Sequence, residues 1–459
     1  MGPTPETMYS CNRSRRQMRN RSQLGYLLLA LVAAAGMWAY VQCVLVAHQR
    51  ADALVTQRPR GNLSDLYPRW LGARELLLRG RDPYSSDLTR EIQIGYYGRL
   101  LDSNRPGDPR DEQAFAYPVY VVFMLAPTVG LPFPIVQKLV FWFFLGITAA
   151  SVLAWLRFLK LRISITNQLV WVVLVTSCYP AIQGYRLRQL SILVAALVAF
   201  AASAMARQQF VRAGVLLALA TIKPQLVGLL ILWLFIWVAS NWRVRKPLLV
   251  SFGISMIVLG GAGEFLLPGW ISEFHAALTA YYRYTGGTSI LDLALPAPWG
   301  KLLAAIVVIG LFVFLYPMRE FAEGTSQFQW ALSVVLATTL IVIPTFGPYN
   351  QLLLIPAIML VVRSIRGLWE KRGFHRFLVI LTGVSVLWPF AVGLFLVAAL
   401  AFLPGQTVER AWAVLFYTTL VTPIAICALA VFAARAAHSQ PPNSSSSPSG
   451  TESPMHVSD

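Results

Sequence analysis

The sequence predicts an all-α, polytopic integral membrane protein, and three observations carry that prediction. Of its 459 residues 56% are hydrophobic and only 13% charged, with a mean hydropathy of +0.59; soluble domains carry about twice that charge fraction. Apolar runs of about 17–25 residues, the length that spans a bilayer core, recur from end to end. Lys and Arg gather in short segments beside those runs, as the positive-inside rule expects, so the net charge of +18 gives no reason to invoke nucleic acid. The four cysteines (Cys11, Cys43, Cys178 and Cys427) and the five histidines are dispersed, without metal-ligand spacing or a disulfide framework.

Residues 1–23 form a basic segment with Arg13, Arg15, Arg16, Arg19 and Arg21, read as cytoplasmic. The run 24–47 is too long for a signal-peptide core and lacks a small-residue cleavage site, so it reads as a first span. Residues 48–116 are a first outer loop, long enough that it should contain surface helices. Segment 117–133 is interrupted by Pro118, Pro127 and Pro132 and reads as a re-entrant or interfacial segment. Spans follow at 134–156, 166–183 and 188–206. The run 213–240 is too short for two full crossings, yet Arg212 lies on one side and Arg243, Arg245 and Lys246 on the other. It therefore reads as two abbreviated helices meeting at Lys223-Pro224.

Later spans fall at 247–268, 301–317, 329–346, 348–362, 377–402 and 411–434, with a second outer loop at 269–300 carrying Trp270, His275, Tyr281 and Tyr282. The sum is about 12 spans with both ends cytoplasmic. One membrane domain covers 24–438, and a low-complexity tail over 439–459 is expected to be disordered.

The polar stretch Ser64–Tyr84 is the most informative. After Asp65, Pro68 suits a first helical turn, Leu66, Trp70, Ala73 and Leu77 recur at helical spacing, and Gly80 and Pro83 stop the pattern. This predicts a short amphipathic helix suited to lying on a bilayer surface. Asp65 has two readings: an N-cap for that helix, or an acid facing a cavity and placed to act as a base. Asp82, in Asp-Pro-Tyr, is explained by its turn. Lys223, an ionisable group within an apolar run, either binds a phosphate or snorkels at a helix end. Arg186 and Arg188 either grip a phosphate or contact lipid head groups. Asn350 reads as a helix cap. No Gly-rich nucleotide loop or Walker signature is present, which points away from a nucleotide-linked donor; no cofactor or metal is expected.

Asp65, the aromatic after it, Ala73-Arg74, a leucine run, Gly80 and Asp82-Pro83-Tyr84 resemble the first outer loop of glycosyltransferase family 87, in the GT-C superfamily of membrane sugar transferases. FAYPVY at 115–120, RQLSIL at 188–193 and IKPQ at 222–225 follow in the expected order. The resemblance covers the first half of the chain by motif and the second half by hydropathy. It implies a GT-C-like fold and transfer of a hexose, mannose by resemblance, from a polyprenyl-phosphate donor to a glycolipid or glycan acceptor. The site would lie on the outer face of a bacterial-type plasma membrane.

Within the same resemblance Asp65 would be the catalytic acid. Tyr67, Arg74, Asp82, Tyr84, Tyr117, Arg186, Arg188, Gln189, Lys223 and Asn350 would contact substrate. Two departures stand out: Val119 replaces the second proline of a Tyr-Pro-Pro motif, and Arg188-Gln189-Leu190-Ser191 stands where Gly-Gln-x-Asn is common. The rival expectations are a transporter or flippase of a lipid-linked or anionic solute, and a surface-glycan ligase or polymerase.

Overall fold

The computed structural model describes residues 5–56, 64–102, 104–105, 108–296, 298–344, 346–371 and 373–438. The tail expected to be disordered lies outside them. Among the described residues every regular element is helical. Seven helices are long and apolar enough to cross a membrane, and a bent pair makes a possible eighth, so the chain is a membrane-embedded helical protein.

The expected 12 segments all appear as helices, but four of them, Ser191–Met205, Phe210–Ala220, Pro224–Ser240 and Ser326–Val342, are too short to count as spans by themselves. Two of these are also the inner ones. Twelve of the 15 residues of Ser191–Met205 are buried, and 14 of the 17 of Ser326–Val342. Long helices such as Trp242–Leu266, only 11% buried along its most apolar stretch, wrap outside them. A helix sheathed by protein reads as apolar all round just as a lipid-facing one does, so hydropathy alone cannot separate the two.

Several boundaries differ from expectation. The first helix runs Pro5–Tyr40, passes through a π-helical turn at Val41–Val46 and continues to Thr56, past the expected end at 47. Segment 166–183, expected as one span, is two helices, Ile165–Thr176 and Tyr179–Leu187, bent by 56°, with Pro180 in the first turn of the second. Segment 117–133 holds only a five-residue helix, Val121–Leu125, and one 3-10 turn, Ala126–Thr128, too short to cross. The run 213–240 breaks at Lys223, between Phe210–Ala220 and Pro224–Ser240.

The Leu66–Arg79 helix ends at Gly80 in a left-handed conformation (φ 64°), as its sequence predicts. Half of its 14 residues are buried, because the Val121–Thr128 segment and the Ser86–Tyr97 helix both pack against it. The Trp70 indole donates to the Thr128 carbonyl at 3.2 Å. Glu75, 3% exposed, accepts from Arg79 and Arg81, each at 2.9 Å, and Arg81 continues to Glu91 at 2.5 Å. The helix is thus fixed within the protein, which fixes the residue that precedes it.

Candidate functional site

Asp65 occupies the cap position of that helix without acting as a cap. Its backbone is already helical (φ −58°, ψ −9°) and its side chain accepts no N–H from the first turn. The carboxylate instead turns towards the loop between Tyr179–Leu187 and Ser191–Met205, where Oδ2 accepts from the Gln189 amide. Its other oxygen accepts the Tyr96 hydroxyl at 3.4 Å. Burial pushes the Tyr96 hydroxyl pKa well up and the charge of Asp65 adds to it, so Tyr96 stays a donor. Arg69, one turn along, donates to the Asp65 carbonyl at 2.9 Å and lies over the Tyr117 ring at 4.8 Å. Burial disfavours the Arg69 charge, but Tyr117, Asp65, Tyr281 and Asp111 outweigh it and hold that pKa up.

Gln189 connects this acid to a cation. Its Oε1 accepts from Lys223 Nζ at 2.8 Å, and the same ammonium donates to Ser191 Oγ at 2.8 Å. Only one amide orientation allows this, because the reverse would set the amide N–H against an ammonium and the amide oxygen against a carboxylate. Lys223 sits where Phe210–Ala220 breaks before Pro224, and its Nζ also lies 5.7 Å from the Tyr117 ring and 5.4 Å from the Tyr349 ring. At 8% exposure the Lys223 nitrogen keeps two hydrogen bonds, as burial of a polar group requires.

These groups line one cavity of about 370 Å³. Its walls come from the start of the Leu66–Arg79 helix, residues 111–118, Gln189, the 222–225 turn, the Trp270–Thr285 helix and residues 343–350. Six segments, most of them far apart in sequence, therefore converge. Two buried polar atoms in the wall, Arg69 Nε and Asn350 Oδ1, have no protein hydrogen-bond partner. Burial pushes the Tyr281 hydroxyl pKa up to about 12. Among the described residues no group of His, Cys, Asp and Glu side chains could hold a metal ion. The arrangement offers two acids, Asp65 and Asp111, two basic side chains, Arg69 and Lys223, and several phenols to an enclosed ligand that carries both hydroxyls and an anion.

Of the residues singled out in the sequence, Asp65, Tyr117, Gln189, Lys223 and Asn350 meet in this cavity. Asn350 lies inside the 3-10 helix Pro348–Leu354 rather than at its cap. Arg186 and Arg188 are not in the cavity wall. Arg188 ends its helix with φ 51°, where the common motif has glycine. That turn directs Gln189 inward and sends Arg188 to the carbonyls of Gln137 at 3.3 Å and Arg186 at 2.7 Å, while Arg186 donates to Gln49.

Tyr67, Arg74, Asp82 and Tyr84 also lie outside the wall, and each has a structural task. Tyr67 packs edge-on against Phe133, its hydroxyl where a side chain on Gly95 would be. Arg74 donates to the Val129 carbonyl at 3.1 Å. Asp82 accepts the Tyr84 N–H at 2.9 Å, the expected turn. The Tyr84 hydroxyl donates to the Tyr117 carbonyl at 2.6 Å.

Sequence reading does not single out Arg69, Tyr96, Ser191, Tyr281 or Tyr349 as site residues. Arg69 carried a signal, since it stands four residues after Asp65 on one helix face; the tyrosines carried none beyond aromaticity in polar segments. Compared with protein-family models, curated proteins and solved structures, the chain finds no match. What the site can do rests on its own geometry.

Proposed function

We propose that this chain is a membrane glycosyltransferase that moves a hexose from a polyprenyl-phosphate donor to a hydroxyl of a glycolipid or glycan acceptor. The observation that carries the reading is the single Gln189 amide joining the Asp65 carboxylate to the Lys223 ammonium in one cavity wall. Glycosyl transfer needs that pair. The acceptor oxygen attacks the anomeric carbon while its proton passes to Asp65, and the carbon–oxygen bond to phosphate breaks with its electron pair leaving on the phosphate. Lys223 and Arg69 are the cations beside that leaving group. Attack opposite the breaking bond inverts the anomeric centre. Arg186 and Arg188, outside the cavity wall, have no part in this scheme.

The same reading includes the finer topology: about 12 crossings in a GT-C-like arrangement, both termini cytoplasmic, and the cavity on the outer face of a bacterial-type plasma membrane. It is supported by the opposite end of the bundle, where Lys160 reaches the Gly324 carbonyl at 3.1 Å and Arg363 the Leu159 carbonyl at 2.8 Å, so the basic segments gather together away from the cavity. Mannose is the expected hexose. Purified protein in liposomes, given polyprenyl-phosphate mannose or glucose and a hydroxyl acceptor, should release polyprenyl phosphate and form an inverted glycoside. Movement of the intact lipid-linked sugar across the bilayer with no release would replace the transferase with a transporter.

A further inference from the structure

A second cavity, of about 500 Å³, lies behind the same wall. The Trp270–Thr285 helix divides the two: Glu273, Ala276, Ala277 and Ala280 face the second cavity, while Phe274, Leu278 and Tyr281 face the first. These are adjoining stripes of one helix at three- and four-residue spacing. The extended segment before Tyr117 divides in the same way, with Glu112 and Ala114 on one side and Gln113 and Ala116 on the other. Tyr84 lines the second cavity, and its hydroxyl holds the carbonyl of Tyr117, whose residue lines the first.

The second cavity has its own chemistry. Thr89, Arg90 and Gln93 come from the Ser86–Tyr97 helix, and the carboxylates of Glu112 and Glu273 face them from other segments. Both glutamates are exposed, as are Ala276 and Ala280, so this is a groove open to solvent. Its volume falls within the range of small-ligand sites, about 300–1,000 Å³. Two carboxylates and the Arg90 guanidinium face the groove between walls kept flat by alanines, while Gln93 bonds the Glu112 carbonyl and the Leu101 N–H and the Thr89 hydroxyl bonds the Ser85 carbonyl. That pattern suits a neutral chain of many hydroxyls, each able to donate to a carboxylate and accept from an N–H. Two carboxylates against one arginine disfavour an anion.

We propose that this groove holds the non-reacting part of a neutral oligosaccharide acceptor, the chain passing the 112–117 wall to bring one hydroxyl to Asp65. The inference rests on the transferase reading, and binding and turnover separate the two. Protein in nanodiscs is titrated with short linear manno-, gluco- and galacto-oligosaccharides and followed by saturation-transfer NMR. At least one should bind saturably. Ala277→Trp, which fills the groove, should weaken it by about tenfold or more, and Glu273→Gln by a smaller factor. Arg188→Gln, outside both cavity walls, should leave it unchanged.

If Ala277→Trp lowers the melting temperature, the Glu112→Gln, Glu273→Gln double variant takes its place. Binding by no sugar in the panel, or wild-type binding in both groove variants, overturns the groove. Saccharide binding that the groove variants abolish, in a protein that never cleaves the lipid-linked donor, sinks the transferase and leaves the groove standing as a saccharide site. Turnover whose acceptor KM ignores both groove variants keeps the transferase and removes the groove.

Discussion

The two ends of one helix, Pro224–Ser240, each carry a buried cation, and the two are used differently. At the start is Lys223, 8% exposed; against the far end lies Arg245, 3% exposed. Arg245 stacks on Trp237 at 3.9 Å and donates to the carbonyls of Trp237, Arg319 and Phe321 at 2.7, 3.0 and 3.1 Å, with Ser240 Oγ at 2.9 Å. Nearly all its partners are main-chain acceptors where helices end, carbonyls that also accept from Ser240 and Trp237, so it ties these chain ends together. Lys223 has side-chain partners and borders a cavity. A charge in an apolar stretch is a functional candidate by default, but the partner type decides: backbone partners mark a staple, and side-chain partners around a cavity mark a site.

The largest effect should come from the acid that shares Gln189 with Lys223. Asp65→Asn should lower the rate of polyprenyl-phosphate release by about 10²-fold or more. It should leave the melting temperature alone, since Asp65 makes no cap bond to lose. Normal turnover in this variant would remove Asp65 from the mechanism.

The next test sets the two cations against each other. Lys223→Met should weaken donor binding by about tenfold or more, the worth of a charge-assisted hydrogen bond, with little change in stability. Arg245→Met should do the reverse. It removes charge-assisted bonds, each worth about 1.5–3 kcal/mol, from carbonyls that keep a second, neutral donor, lowering the melting temperature while donor Kd in the folded protein is kept. Equal behaviour of the two variants in both measurements would break the comparison.

Smaller effects calibrate it. Arg188→Gln should change donor Kd by less than about twofold, because its guanidinium serves the Gln137 and Arg186 carbonyls. Asp82→Asn should be the mildest, within about 0.5 kcal/mol in stability and near-normal in rate, since the amide oxygen can still accept the Tyr84 N–H.

Local chemistry made much of this legible in advance. Pro224 after Lys223 reads as a helix break and forms one, and Gly80 reads as a helix end and is one. A lysine at 223 within an apolar run and an acid at 65 beside a span stand out as candidates from residue type alone. Hydropathy also locates the apolar helices, because burial in lipid and burial in protein leave the same composition. For that reason it could not show that Ser191–Met205 and Ser326–Val342 are the sheathed inner helices.

Direction is what only the tertiary structure decided. Arg188 and Gln189 are neighbours of similar polarity, yet the left-handed turn at 188 sends one to backbone carbonyls and the other to the bridge between Asp65 and Lys223. Asp65 itself has a helix to cap and does not cap it, because Gln189, 124 residues away, offers its carboxylate a partner on the other side. Periodicity and propensity act over a few residues. Which way a polar side chain turns is settled by the groups that distant segments bring against it, and those exist only once the chain has packed.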